Sequence, residues 1–169
     1  MSFVVEDGTG LAISTSYVSI AEALTYHSDR GNTAWAAVLP AAQQIALIRA
    51  TQAVDVRGTG RFVGEKLTAE QALQWPRENA IGIDGFEFGE DEIPIVVKNA
   101  VCEGALIELG DQGSLQPSLE RGGLVNRERV EGAVDISYQQ GAPVGTTYFA
   151  YLTALTPVLN GGGIKVKRV

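Results

Sequence analysis

Apolar positions recur at helical spacing in four stretches of the chain. The first is Ile20, Ala23, Leu24 and His27, whose steps of three and four residues share one face. Ser19-Ile-Ala-Glu22 opens it as a capping box, the serine oxygen taking the Glu22 N–H and the glutamate returning to that of Ser19. Val18 is placed to staple against Ala23, and Gly31 after Arg30 supplies a left-handed stop. Asn32-Thr-Ala-Trp35 opens a short helical turn. A second helix, about 40–56, begins at Pro40, which suits a first turn. It carries two stripes, Ile45, Ile48 and Val56 on one side and Leu47, Ala50 and Val54 on the other, so it is covered twice, within a bundle or between bundle and neighbour. Arg49 lies between the stripes, where a surface ion pair suits it. Thr68-Ala-Glu-Gln71 repeats the capping-box pattern and predicts a short helix to about Trp75, stopped by Pro76. After Ile93-Pro94 the third stretch, about 94–109 and closed by Gly110, is apolar nearly all round (Ile95, Val96, Val97, Val101, Cys102, Leu106, Ile107, Leu109). That is the pattern of a bundle's central helix. The fourth has Tyr148, Leu152, Leu155 and Leu159 at helical spacing after a Thr146 or Thr147 cap, ended or kinked by Pro157.

Between these stretches the pattern changes. Residues 1–16 have no helical period and read as an arm or edge strand through Phe3-Val-Val and Leu11-Ala-Ile. Residues 77–92 form a long acidic loop and 111–123 a polar, glycine-bearing connection. Val130, Val134, Ile136 and Tyr138 alternate as a strand or hairpin does. Gly161-Gly-Gly163 is a hinge, and Ile164-Lys-Val-Lys-Arg-Val169 alternates apolar and basic residues. The expected fold is mainly α: a small helical bundle with long loops, a short β-hairpin or strand near 125–138, and extended terminal arms. The organisation is an N-terminal arm (1–16), a helical domain (17–160, with loops 77–92 and 111–123) and a C-terminal docking tail (161–169). Trp35, Trp75 and Val101 are the expected core anchors, Cys102 a small buried hydrophobe, and His27 a partly buried, hydrogen-bonded histidine.

Composition narrows the chemistry. With 169 residues, 45% hydrophobic and 20% charged, the chain suits one globular domain. A single cysteine excludes an intramolecular disulfide framework and a cysteine-based zinc site, and it fits a reducing cytosol. The N-terminus has the marks of neither a signal peptide nor a membrane span. One histidine and one cysteine, far apart in sequence, provide no nucleophile–base pair or ligand set, so neither enzyme activity nor a metal or other cofactor is expected. Arg57-Gly-Thr-Gly-Arg61 is glycine-rich, but it follows a helix and lacks Gly-Lys-Ser/Thr, unlike a P-loop.

The net charge is −7 and unevenly placed. Asp84, Glu87, Glu90, Asp91 and Glu92 form an acidic stretch, while the last nine residues hold Lys165, Lys167 and Arg168 and no acid. An acidic body does not gather phosphates, so broad nucleic-acid binding is disfavoured and single-stranded DNA affinity at physiological salt is expected to be weak or absent. Tyr17, Tyr26, Tyr148 and Tyr151 sit among helix residues rather than interleaved with Lys and Arg as stacking platforms are. Arg127 and Arg129, beside Glu128 and Glu131, are the remaining candidates for a phosphate contact.

Tyr17-Val-Ser-Ile-Ala-Glu-Ala, Arg30-Gly-Asn-Thr-Ala-Trp, Ala46-Leu-Ile-Arg-Ala-Thr, Trp75-Pro-Arg and Ile93-Pro follow one another in this order. With Arg127-Glu-Arg-Val130, Ile136-Ser-Tyr138 and Gly-Ala-Pro143 they make the chain, from Tyr17 to about Arg168, resemble the small head–tail adaptor (head-completion) proteins of tailed bacteriophages. Some members of that family carry the label DnaT-like ssDNA-binding. The resemblance implies a structural protein of the virion neck, assembled in the host bacterial cytoplasm, forming a ring of twelve subunits beneath the portal. Such a ring joins capsid to the next neck or tail protein and prolongs the channel, with DNA only as its non-specific content and no membrane partner. A nucleic-acid-binding accessory protein of replication is the alternative. On the adaptor expectation Ile164, Lys165, Val166, Lys167, Arg168 and Val169 dock to the portal or a neighbouring subunit. Asp84, Glu87, Glu90, Asp91, Glu92, Arg127 and Arg129 are then intersubunit or lumen residues.

Overall fold

Two long helices make the centre, because small and β-branched residues let their backbones approach. In the computed structural model, which describes residues 2–116, 127–130, 134–137 and 149–160, α3 (Pro40–Gly58) packs along α4 (Ile95–Gly110). α3 contributes Ala46, Leu47, Ala50 and Val54, and α4 contributes Val97, Ala100, Val101, Cys102 and Ala105. A Cβ on Gly104 would stand only 3.2 Å from that of Ala50, a measure of how closely the two helices cross. α1 (Ile20–Asp29) and the single turn α2 (Thr33–Ala36) close one side, and α5 (Phe149–Leu155) lies on α4. Two small antiparallel pairs complete a mainly helical fold: β1 (Glu65–Lys66) with β2 (Arg77–Glu78), and β3 (Arg127–Val130) with β4 (Val134–Ser137). Trp35, Trp75 and Val101 are fully buried.

The Ser19–Glu22 capping box forms as its pattern predicts, and Gly31 follows the helix at φ +71. α1 buries only Ala23 and His27, however, and Leu24 is exposed. On α3 the Leu47, Ala50 and Val54 stripe is buried, whereas the second stripe is split: Ile48 is buried, Ile45 is 42% exposed and Val56 67% exposed. The bundle covers one side of α3 and leaves much of the other open.

Three stretches depart from the local pattern. Thr68 and Gln71 exchange both capping-box bonds, Gln71 N–H to Thr68 Oγ1 (3.1 Å) and Thr68 N–H to Gln71 Oε1 (2.9 Å), yet no helix follows. The N–H groups that a helix would use go elsewhere: Ala72 N–H donates to Leu11 O (3.0 Å), Gln74 N–H to Asp55 Oδ2 (3.1 Å) and Trp75 N–H to the Tyr17 hydroxyl (3.0 Å). Burial of Leu73 and Trp75 outweighs helix propensity there.

Residues 77–92 are not structureless. Arg77 and Glu78 form β2, and an arch follows in which Ile81 bridges Glu87 and Gly82 N–H donates to Phe86 O (2.8 Å). Leu159, placed on the last helix by its spacing, lies beyond it. A 3-10 turn (Thr156–Val158) carries Pro157, and Leu159 bridges Phe62.

Residues 2–16, expected as an arm or edge strand, fold back on the domain. The buried Glu6 carboxylate accepts from the N–H groups of Gly8 (3.2 Å), Gly10 (2.9 Å) and Leu11 (3.0 Å) and from Ser14 Oγ (2.8 Å). Gly8, at φ +100, lies so close to the Asp91 carbonyl that a Cβ would overlap it. Gly8→Ala should therefore loosen this loop, at a cost on the order of 1–3 kcal/mol. Faster amide exchange at Leu11 and Ala72 would report it; unchanged exchange would refute this packing role.

Candidate functional site

Among the described residues the fold uses up some charges and leaves others available. Arg77 is buried, its Nε donating to Val63 O (2.7 Å) and Nη2 to Gly64 O (2.7 Å), and it pins the β1–β2 corner. Arg49 Nε pairs with Glu108 Oε2 at 3.1 Å. This is not the purely surface pair expected for Arg49, because Glu108 is buried and also accepts the N–H groups of Gly113 (2.7 Å) and Leu115 (3.1 Å). Lys98 Nζ meets Glu22 Oε1 at 2.7 Å. Arg30 lies 3.6 Å above the Tyr26 ring and donates to the Tyr26 carbonyl (3.1 Å). Lys66 Nζ reaches Gln71 O (3.4 Å).

Arg57 and Arg61 differ from these. They are exposed, and among the described residues they make no ion pair, side-chain hydrogen bond or cation–π contact. They flank the turn that ends α3, where Gly60 at φ +70 has nothing within 4 Å of the place a Cβ would take. The Tyr151 phenol, pushed up by burial, is drawn the other way by Arg57. Between the two arginines Gly58 is buried against the Phe62 ring, while Thr59 and Gly60 stand open to solvent.

The other surfaces hold less. A groove of about 580 Å³ between α1 and α4 is lined by Tyr26, Arg30, Ile95, Lys98 and Cys102, with Glu22 and Asp29 balancing its cations. Cys102 is no nucleophile there, since burial pushes its thiol up to about 12. His27, expected to be partly buried, is completely so; its ring lies 4.7 Å from that of Trp35 and its Nδ1 is 3.3 Å from Asn32 Nδ2. Burial holds its pKa down. Among the described residues no group of His, Cys, Asp and Glu could hold a metal ion, and no helix is long and apolar enough to cross a membrane.

Asp84, Glu87, Glu90, Asp91 and Glu92 are all exposed, and of these only Glu92 bonds within the loop, to Gly89 N–H (3.1 Å). Beside them Ile81, Ile83 and Phe86 are 54%, 68% and 79% exposed. Arg127 and Arg129 take alternate positions of β3, opposite Ser137 and Asp135. Residues Ile164 to Val169 lie outside the described residues.

Sequence reasoning missed one centre entirely. The Tyr17 hydroxyl donates to Asp55 Oδ1 at 2.5 Å, and burial pushes the Asp55 carboxyl up to about 6. Its only signal is an aspartate between Val54 and Val56 on α3.

A family model described as "Putative DnaT-like ssDNA binding protein" matches residues 1–169. No curated protein and no solved structure matches the chain.

Proposed function

This chain belongs to the DnaT-like ssDNA-binding protein family, and we propose that it acts without catalysis, as a single-stranded-DNA-binding accessory protein whose phosphate contacts come from a few exposed arginines. One observation carries the choice of residues: the fold engages Arg30, Arg49, Lys66, Arg77 and Lys98 internally, while Arg57 and Arg61 stay exposed on an open glycine turn. Exposed arginine beside bare backbone suits a phosphate chain, because the guanidinium binds two oxygens at once and glycine lets the strand approach. Arg127 and Arg129, on β3, are the second pair by their sequence pattern.

The charge of −7 limits the strength of this contact. Each neutralised phosphate of a single strand contributes a slope of about −0.7 in log K against log salt, so the Arg57–Arg61 pair supplies about −1.4. Fluorescence anisotropy with labelled oligo-dT should give a shallow slope and weak binding at physiological salt. Arg57→Ala with Arg61→Ala should reduce the slope by about 1.4. A double variant that binds with unchanged affinity and slope would exclude this turn, and a wild type that never binds would exclude DNA.

The ring adaptor is the second reading, supported by the exposed apolar residues Ile45, Val56, Ile81, Ile83 and Phe86 together with the acidic charge. Apolar patches open in the protomer suit closure by neighbouring copies, and an acidic wall lets DNA slide without sticking. In this case the protein belongs to the virion neck, between portal and tail, and DNA is only content of the channel. A ring of uniform mass from native mass spectrometry, together with no oligo-dT binding, would favour it. A monomer that binds DNA would dismiss it.

A further inference from the structure

The acidic arch, residues 81–92, forms no ion pair among the described residues, although it carries five exposed carboxylates and three exposed apolar side chains. We propose that this arch is the intramolecular docking site of the chain's own segment 164–169.

Charge and apolar pattern match on the two sides. Lys165, Lys167 and Arg168 meet Asp84, Glu87, Glu90, Asp91 and Glu92. Ile164 and Val166 meet Ile81, Ile83 and Phe86, which are more than half exposed. Over residues 164–167 apolar and basic residues alternate, so an extended segment presents the two kinds of side chain to opposite sides, and Arg168 and Val169 follow out of that alternation. Ile164 and Val166 can cover the arch while Lys165 and Lys167 lie along its acidic margin.

The point where the described chain ends favours the chain's own segment over a neighbour's. Ile83 N–H donates to Pro157 O (3.2 Å), Val63 N–H to Val158 O (3.0 Å), and Asn160 N–H to Arg61 O (2.6 Å). Pro157 is therefore held against the arch, and Val158 and Asn160 against the neighbouring segment Arg61–Val63. The nine residues beyond Asn160 can extend about 30 Å, and Gly161–Gly163 permit a reversal of direction. A short tether gives an effective local concentration on the order of millimolar, which a second copy does not match in dilute solution. Docking also withdraws three cations from solvent, so the basic segment and the acidic arch mask each other.

Cysteine pairing tests this without reference to DNA. Phe86→Cys with Val166→Cys, both on solvent-accessible or terminal positions, should form an intramolecular disulfide under mild oxidation, seen as a faster monomer on a non-reducing gel and as a linked peptide by mass. Ile13→Cys with Val166→Cys is the control, since Ile13 is exposed on the N-terminal loop. Asp84→Lys, Glu87→Lys and Glu90→Lys together should slow pairing about tenfold, equivalent to about 1.4 kcal/mol. Lys165→Glu, Lys167→Glu and Arg168→Glu added to that variant should restore it. A covalent dimer in place of the linked monomer would overturn the intramolecular site. So would pairing no faster than the control, or a rate indifferent to the charge changes.

Discussion

Val101→Asp should leave the chain unfolded at room temperature. Val101 is fully buried on α4, the helix that packs along α3. A carboxylate there is cut off from water, and its desolvation is on the order of 5 kcal/mol or more. Domains of this size have a whole margin of about 5–15 kcal/mol. Loss of the cooperative thermal transition in circular dichroism would report it. A variant melting like the parent would mean that α4 is not the central helix. Val101→Ala, which removes methyl groups without adding charge, should melt earlier but still cooperatively.

Tyr17→Phe should be costly at neutral pH and much less so in acid. The Tyr17 hydroxyl joins three elements, donating to Asp55 Oδ1 on α3 and accepting from Trp75 N–H (3.0 Å). Without it, two groups lose a partner at the core's edge, a loss of roughly 2–4 kcal/mol. Asp55 makes the loss depend on pH. Burial raises its carboxyl from 3.8 to about 6, while the Tyr17 and Gln74 donors work against that rise. A carboxyl whose pKa is higher folded than unfolded contributes stability that is full below about 3.8 and lost as pH rises through about 6.

That contribution is about 3 kcal/mol at most, reduced by solvent screening because the residue is only partly buried. Removing the Tyr17 donor moves the folded pKa further up, so the variant's deficit should grow between pH 4 and pH 7. His27 acts in the opposite sense: its lowered pKa gives stability present above 6.5 and lost in acid. Since both proteins contain His27, the difference between them isolates Asp55. Urea denaturation of both across that range measures it, and a deficit independent of pH would exclude the Asp55 linkage.

The exposed arginines show why a binding surface is harder to see in sequence than a core. Arg49, Arg57, Arg61 and Arg77 look alike along the chain. Only the fold distinguishes them, because the partners of Arg77 are carbonyls of Val63, Gly64 and Gln74, and the partner of Arg49 is Glu108. Subtracting the engaged residues leaves Arg57 and Arg61. Their Arg-Gly-Thr-Gly-Arg pattern was visible, but not its openness, which depends on what fails to pack against Gly60.

What the sequence determined by itself is local. The Ser19–Glu22 capping box, the stop at Gly31, the proline start of α3, the β3–β4 hairpin and the all-round apolar character of α4 follow from hydrogen bonds and periodicities within a few residues of each other. The tertiary structure decided everything that rests on partners far along the chain. Thr68–Gln71 has helix-starting chemistry, yet Leu11, Asp55 and Tyr17 take the N–H groups a helix would need. Glu6 looks like a surface acid, yet backbone amides enclose it. The apolar period of α3 names two stripes, but only the placement of α4 settles which is core and which is surface. A period records that side chains share a face; burial requires a second element to cover that face.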